Sequence, residues 1–199
     1  NEMLADPNPD VCAPALLAIR SMGSAAADTL PALRRLIRSD QETLRHSAML
    51  ALGSVGPQAK GAVPQLMEVL QEDDLVAAMM AVESLGRIGP DAVAAVPLLE
   101  MELHSTRGLP RYFVVVALWR ITHSPQSLPT LMDAAENCYG RFALLRIAEV
   151  LGEMGPHAKK AIPSLQWMLK DHDADVRKAA AQAIARIEEA ASPPGGTLP

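Results

Sequence analysis

Residues 51–70, ALGSVGPQAKGAVPQLMEVL, decide how this chain folds, because close variants of the stretch return at a fixed step. Gly56-Pro57 recurs as Gly89-Pro90 and Gly155-Pro156. Gly23 and Thr122 fall in the same register, so positions 23, 56, 89, 122 and 155 are each 33 residues apart. A second signal, apolar-Pro-x-Leu, follows in every copy: Leu30-Pro31-Ala32-Leu33, Val63-Pro64-Gln65-Leu66, Val96-Pro97-Leu98-Leu99, Leu128-Pro129-Thr130-Leu131 and Ile162-Pro163-Ser164-Leu165. Self-similarity at this period signals a stacked array of helical hairpins, in which each unit buries its apolar face only against its neighbours.

Composition agrees. The 199 residues are long enough for one continuous array. Aromatics make up only 3% of the chain, while Ala, Leu, Val, Ile and Met dominate, as suits close-packed helices. A net charge of −5 argues against a general nucleic-acid binder, which would carry a basic face. Cys12 and Cys138 lie far apart with no ligand spacing, so a disulfide scaffold is not expected and the compartment stays open. No stretch approaches 18 consecutive apolar residues, so no membrane span is expected. The chain begins at Asn1 without a charged and apolar leader, which fits either a removed signal or a segment of a larger multidomain chain.

Residues 1–10 read as a turn-rich lead-in. From Val11 the first helix of each pair carries an inward column at offsets 0, 3, 4 and 7, which share one helical face. The column reads Ala15/Ala18/Ile19/Met22, Ala48/Ala51/Leu52/Val55, Ala81/Ser84/Leu85/Ile88, Val114/Ala117/Leu118/Ile121, Ile147/Val150/Leu151/Met154 and Ala180/Ala183/Ile184/Ile187. Glycine is expected to end these helices as a left-handed cap, with proline preventing continuation. The second helix follows each Pro, with columns such as Val63/Leu66/Leu70 and Ile162/Leu165/Leu169. Proline is tolerable there because a first-turn residue has no intrahelical N–H bond to lose. Acids in the connectors, Asp40, Asp73-Asp74 and Asp171-His172-Asp173, are placed to cap the next helix. At the front, Leu16 and Leu17 have no preceding repeat, so the expectation is either that Met3 and Leu4 fold over them or that an upstream repeat is missing.

The pattern G-P-x-A-x-x-A-[VI]-P-x-L-x-x-x-L, followed by Asp171-x-Asp173-x-x-Val176-Arg177-x-x-Ala180, resembles the short HEAT repeats of the phycobilisome-lyase-like type. The resemblance covers about Val11 to Ala190. It implies an all-α, right-handed α-solenoid of five to six hairpins, about eleven helices over residues 11–190, with 191–199 as a flexible tail. Repeats of this type serve scaffolds, adaptors, bilin lyases and regulatory domains alike, so the resemblance specifies architecture and leaves function open. It also implies that the second helices line the concave side. Their outward positions then form a groove with Met67, Leu98, Met101, Met132 and Trp167 on its floor and Glu68, Glu100 and Asp133 along it. Methionines adapt to varied apolar surfaces, and such a groove suits a peptide or helix with apolar and basic residues. The alternative is that Met67, Met101 and Met132 pack between adjacent second helices.

The fourth repeat is irregular. It is one residue short between Thr122 and Pro129, lacks Gly-Pro, and carries Trp119 where its neighbours have Gly53, Gly86 and Gly152. Aromatic and basic residues around it, Arg107, Arg111, Tyr112, Tyr139 and Arg141, form a second candidate site on one edge; the alternative is that large side chains fill space left by Ala134 and Ala135.

Motifs for chemistry are sparse. Asp171-His172-Asp173-Ala174-Asp175 imitates the start of a calcium loop, but Val176 and Gln182 replace the required Gly and Glu, so a capping turn accounts for the acids. The five histidines show no HExxH spacing, and there is no Walker loop or nucleophile elbow. Arg34-Arg35 with Arg38 is the one basic cluster on the groove side. The resulting expectation is a non-catalytic module that binds a protein or peptide, without cofactor, metal or nucleic acid. The rivals are a bilin lyase or its subunit, suggested by repeat type alone, and a HEAT-like DNA glycosylase, which the acidic groove residues contradict.

Overall fold

The 33-residue period resolves into hairpins built of a long helix, a 3-10 segment and a short helix. The computed structural model describes residues 2–6, 8–105, 108–137 and 140–189. Among these the protein is an all-α solenoid of eleven α-helices and six 3-10 segments, with no strand. The helices are α1 (Pro9–Met22), α2 (Leu30–Leu36), α3 (Glu42–Val55), α4 (Val63–Leu70), α5 (Leu75–Ile88), α6 (Val96–Glu102), α7 (Arg111–Thr122), α8 (Leu128–Asn137), α9 (Arg141–Glu153), α10 (Ile162–Met168) and α11 (Ala174–Glu189). They form two compact units, residues 1–122 and 123–199. Of the residues named from sequence, Arg107, Cys138, Tyr139 and 190–199 lie outside the described residues.

Within each unit the first helices stack on one another: α3 packs on α1 and α5, α5 on α7, and α11 on α9. The expected columns are buried in α3, α5, α7 and α9, with Leu52, Leu85 and Leu151 at 0% exposure and Leu118 at 8%. In α1 the column fails at two positions, because Ala18 and Met22 are exposed. Ser84 and Ile88, their counterparts in α5, lie on the face that receives the preceding hairpin. In front of α1 the described chain offers only the short 3-10 turn Glu2–Leu4. From that turn Leu4 is buried, while Met3 stays exposed, as does Leu17. Leu169 is also partly exposed.

What sets the spacing between first helices is glycine. A Cβ built on Gly53 would lie 2.7 Å from Ser84 Cα, one on Gly86 2.9 Å from Ala117 Cα, and one on Gly152 3.1 Å from Ala183 Cα. Helix backbones therefore meet almost directly. At the first of these contacts Ser84 Oγ donates to Met49 O at 2.7 Å, which satisfies a hydroxyl that is fully buried. The fourth repeat has Trp119 in this position, also buried, and an indole cannot make the contact that glycine makes.

The long helices end at glycines with positive φ, as expected. However, ψ near −143° at Gly56 and Gly89 is far from the left-handed helical value of about +47°. This is the mirror image of the extended region, open in practice to glycine alone. It turns the chain into the seven-residue 3-10 segments Gly23–Thr29, Gly56–Ala62, Gly89–Ala95 and Gly155–Ala161, the first and third kinked at Ala26 and Ala92, where sequence suggested a simple Gly-Pro break. In the fourth repeat α7 runs through Thr122, and His123 takes the positive φ (50°) instead. Its 3-10 segment shrinks to Pro125–Ser127. The second helices start one residue before each Pro, which sits in the first turn as anticipated.

The connector acids act as caps at two of the expected places. Asp74 Oδ1 accepts the Ala77 amide at 2.9 Å, and Asp173 Oδ1 accepts those of Asp175 and Val176 at 2.8 and 3.3 Å. Asp40 does not take the cap position of α3, which falls to Gln41. The Ala77 amide, and behind it His46 at 3.3 Å, hold the Asp74 carboxyl below its usual range against the opposing effect of partial burial.

Three consequences are testable by urea unfolding. Leu85→Ala should cost about 2–5 kcal/mol, as for other large-to-small core changes, and a loss under about 0.5 kcal/mol would contradict the packing described. Gly53→Ala should destabilise by about 1–3 kcal/mol, although alanine is the better helix former by about 1 kcal/mol, because Ser84 backbone stands in the way. Asp74→Ala should cost about 1 kcal/mol at neutral pH. Since the folded carboxyl is depressed, that stabilisation is complete above its unfolded value near about 3.9 and is lost as pH falls through the folded value. The difference between the two proteins should therefore shrink in acid.

Candidate functional site

The outward positions of the second helices divide between the two units. In the first, Met67 and Leu98 are half-buried and pack partly against the core, whereas Glu68, Glu100 and Met101 are exposed, Met101 at 69%. Glu68 pairs with Arg38 at 3.3 Å. In the second, Met132 is half-buried, Asp133 is exposed and accepts a bond from Asn137 Nδ2 at 2.9 Å, and Trp167 is 50% exposed. The three methionines thus differ: Met67 and Met132 are partly core, and Met101 is a surface residue.

The described edge residues, Arg111, Tyr112 and Arg141, differ in their surroundings. Arg111 is exposed, and Tyr112 stacks its ring 4.6 Å from that of Phe113. Arg141 instead ties the start of α9 to the start of α11. Its Nε lies 2.8 Å from Asp173 Oδ2, its Nη2 pairs with Asp175, and its guanidinium carbon lies 5.8 Å from the Phe142 ring centre. Desolvation would raise the Asp173 carboxyl, but the Asp175 and Val176 amides together with Arg141 more than offset it and hold it below the usual range. The Asp171–Asp175 run is thereby engaged in capping and ion pairing. Phe142 is 75% exposed beside this clamp.

A concave site forms where the fourth repeat is short. In the first unit successive seven-residue 3-10 segments pack on one another. In the second unit the fourth repeat supplies only three such residues, so the segment Gly155–Ala161 packs against α8. Between them lies a cleft of about 830 Å³ lined by Pro125, Leu128, Pro129, Met132, Asp133, Glu136, Pro156, His157, Lys159 and Lys160. Leu128, Met132 and the three prolines give it apolar walls. Asp133 and Glu136 stand on the α8 side and Lys159 and Lys160 on the other. Glu136 Oε1 accepts from Ser164 Oγ at 3.3 Å, a buried hydroxyl of α10. Neither lysine forms an ion pair among the described residues. Of the lining residues, the sequence pattern placed Met132 and Asp133 along the groove and assigned no site role to Glu136, His157 or the lysines. The signal available was the one-residue deletion in the fourth repeat, combined with Lys-Lys in a connector that reads Lys-Gly at Lys60-Gly61.

Side chains suited to covalent or metal chemistry are scarce. Cys12 is fully buried, and burial, with Asp6 nearby, pushes its thiol up, which disfavours the nucleophilic thiolate. Among the described residues no group of three or more His, Cys, Asp or Glu could hold a metal ion, and no helix is long and apolar enough to cross a membrane.

Comparison with known proteins places these features in a family. No curated protein matches the chain. Among solved structures, an engineered protein is similar at 19% identity and TM-score 0.56, covering 95% of both chains. A computationally designed armadillo repeat protein for modular peptide recognition is similar at 16% identity and TM-score 0.51, covering 93% of this chain and 97% of its own. At such identities the likeness concerns the fold alone. The family model for HEAT repeats matches residues 1–76 and 143–194, more than half of the chain. The span left unmatched, 77–142, contains the fourth repeat with its tryptophan and shortened turn. With stacked hairpins of the same period on either side of that span, the protein belongs to the HEAT-repeat family.

Proposed function

We propose that this protein is a non-catalytic interaction scaffold that holds a peptide segment of a protein partner, anchored in the cleft between α8 and the segment Gly155–Ala161. The cleft itself carries this reading: it is concave, apolar in its walls, and rimmed by opposite charges that the fold leaves exposed. Apolar pockets with a few directed polar groups are the usual form of a binding site. Its volume of about 830 Å³ accommodates one or two large side chains of a peptide. Met132 provides an adaptable floor. The fitting segment has apolar residues at its centre, a basic residue towards Asp133 and Glu136, and an acidic residue towards Lys159 and Lys160. That a protein of similar fold was designed for modular peptide recognition supports this reading.

The test is to select peptides from a random displayed library against the full chain and to measure their affinity for variants. Met132→Glu, and separately Lys159→Glu with Lys160→Glu, should each weaken binding about tenfold or more, the loss typical of residues at the centre of an interface. The lysine variant should also lower the salt dependence, because those contacts are screened charges. The lysines are exposed, so the melting temperature should hold. Met101→Glu, in the other unit, should change affinity little. If Met101→Glu or Arg111→Glu abolishes binding while the cleft variants retain it, the site lies elsewhere and the proposal fails.

A further inference from the structure

A second site, independent of the cleft, lies in the first unit, where an acidic protein turns locally basic. Arg34 and Arg35 on α2 and Arg38 in the turn behind it are all exposed. With Pro31 and Gln65 they line an open depression of about 570 Å³ that has no carboxylate in its lining. The chain as a whole carries a net charge of −5, so three guanidinium groups around one hollow depart from its general character. Arg34 Nε donates to Gln65 Oε1 at 2.7 Å, which holds the side chain across the gap between α2 and α4. Its terminal nitrogens remain as donors, as does the amide nitrogen of Gln65. Arg38 leans on Glu68 at 3.3 Å, but both side chains are 66% exposed, and a pair so open to water is easily exchanged for a stronger one.

We propose that this depression binds a phosphomonoester, presented on a phosphorylated side chain of a protein partner. The guanidinium fork matches the geometry of phosphate oxygens, and three forks around one hollow suit a compact dianion. A long polyanion is disfavoured by what lies alongside. Asp40, Glu42, Glu68, Glu72 and Asp74 line the adjoining hollow and would repel a nucleic-acid backbone tracking across α3 and α4. A single phosphate meets Arg34 and Arg35 without meeting those acids, and reaches Arg38 by taking the place of Glu68.

The experiment follows the arginine Nε resonances of the full chain by NMR at constant ionic strength. The probes are inorganic phosphate, a short peptide with one phosphoserine, the same peptide unphosphorylated, and a DNA duplex. The phosphopeptide should shift the Arg34 and Arg35 signals saturably and more tightly than inorganic phosphate, while the unphosphorylated peptide leaves them in place. Arg35→Gln should weaken the phosphopeptide about tenfold, the scale of losing a charge-assisted contact, and Arg34→Lys should weaken it although charge is kept. Circular dichroism should be unchanged, since these side chains are exposed. The proposal is overturned if the shifts do not saturate, or if Arg20 and Arg186 respond equally, which is general screening. It is also overturned if inorganic phosphate binds and the phosphopeptide does not, or if DNA binds more tightly than the phosphopeptide, which makes the site one for nucleic acid.

Discussion

The close approach of neighbouring long helices is the constraint on which the rest depends. Where Gly53 meets Ser84 and Gly86 meets Ala117, there is no room for a side chain on one partner and room only for a small one on the other. Backbones held this near fix the register of each hairpin on the next, since sliding one helix by a residue would drive a larger side chain into the contact. The leucines at 52, 85 and 151 then fall at equivalent depths, and burial of the apolar column supplies the main stabilising term. Thirty-three residues is accordingly the length of chain that returns a glycine to its place against the next helix.

The fourth repeat relaxes that constraint, and the consequences are local. Trp119 fills the place of the glycine, the positive φ moves from a glycine to His123, and the 3-10 segment loses four of its seven residues. In the regular repeats that segment is covered by its counterpart in the next. In the second unit it is not, and the uncovered space is the cleft floored by Met132. The chain divides into its two compact units immediately after the irregular helix, and the cleft belongs to the second of them.

These features were unequally visible in the sequence. The hairpins were plain because burial imposes a 3.6-residue period on each helix and stacking imposes the 33-residue period on the whole, and both are written in residue type. The seven-residue 3-10 segments were not, because Gly-Pro signals the end of one helix without specifying the conformation of the residues after it. Ala18 and Met22 carried the same pattern as their buried counterparts, yet burial needs a neighbour as well as a pattern. Arg141 looked like an open cation for the same kind of reason: its partners Asp173 and Asp175 are more than thirty residues away and meet it only through stacking. The cleft was half legible, since Met132 and Asp133 stood on an outward face, but its other wall, Pro156 to Lys160, is opened by the shortening of the fourth repeat, which no apolar column records.

The distribution of charge separates what holds the fold from what remains for partners. Asp74 and Asp173 are spent on helix starts, and Glu83 on Arg87 at 2.7 Å within α5. Arg141 is engaged three times over. These groups have their electrostatic needs met internally, so a partner would gain little from them and would have to break existing contacts to reach them. Lys159, Lys160 and Arg35 differ: they are exposed, held by no ion pair among the described residues, and grouped beside concave surface. In a repeat protein every hairpin must satisfy the same stacking rule, and that leaves few positions at which residue choice is free. Charges that gather at hollows without serving the stack are therefore the positions at which one array of this kind can differ in recognition from another.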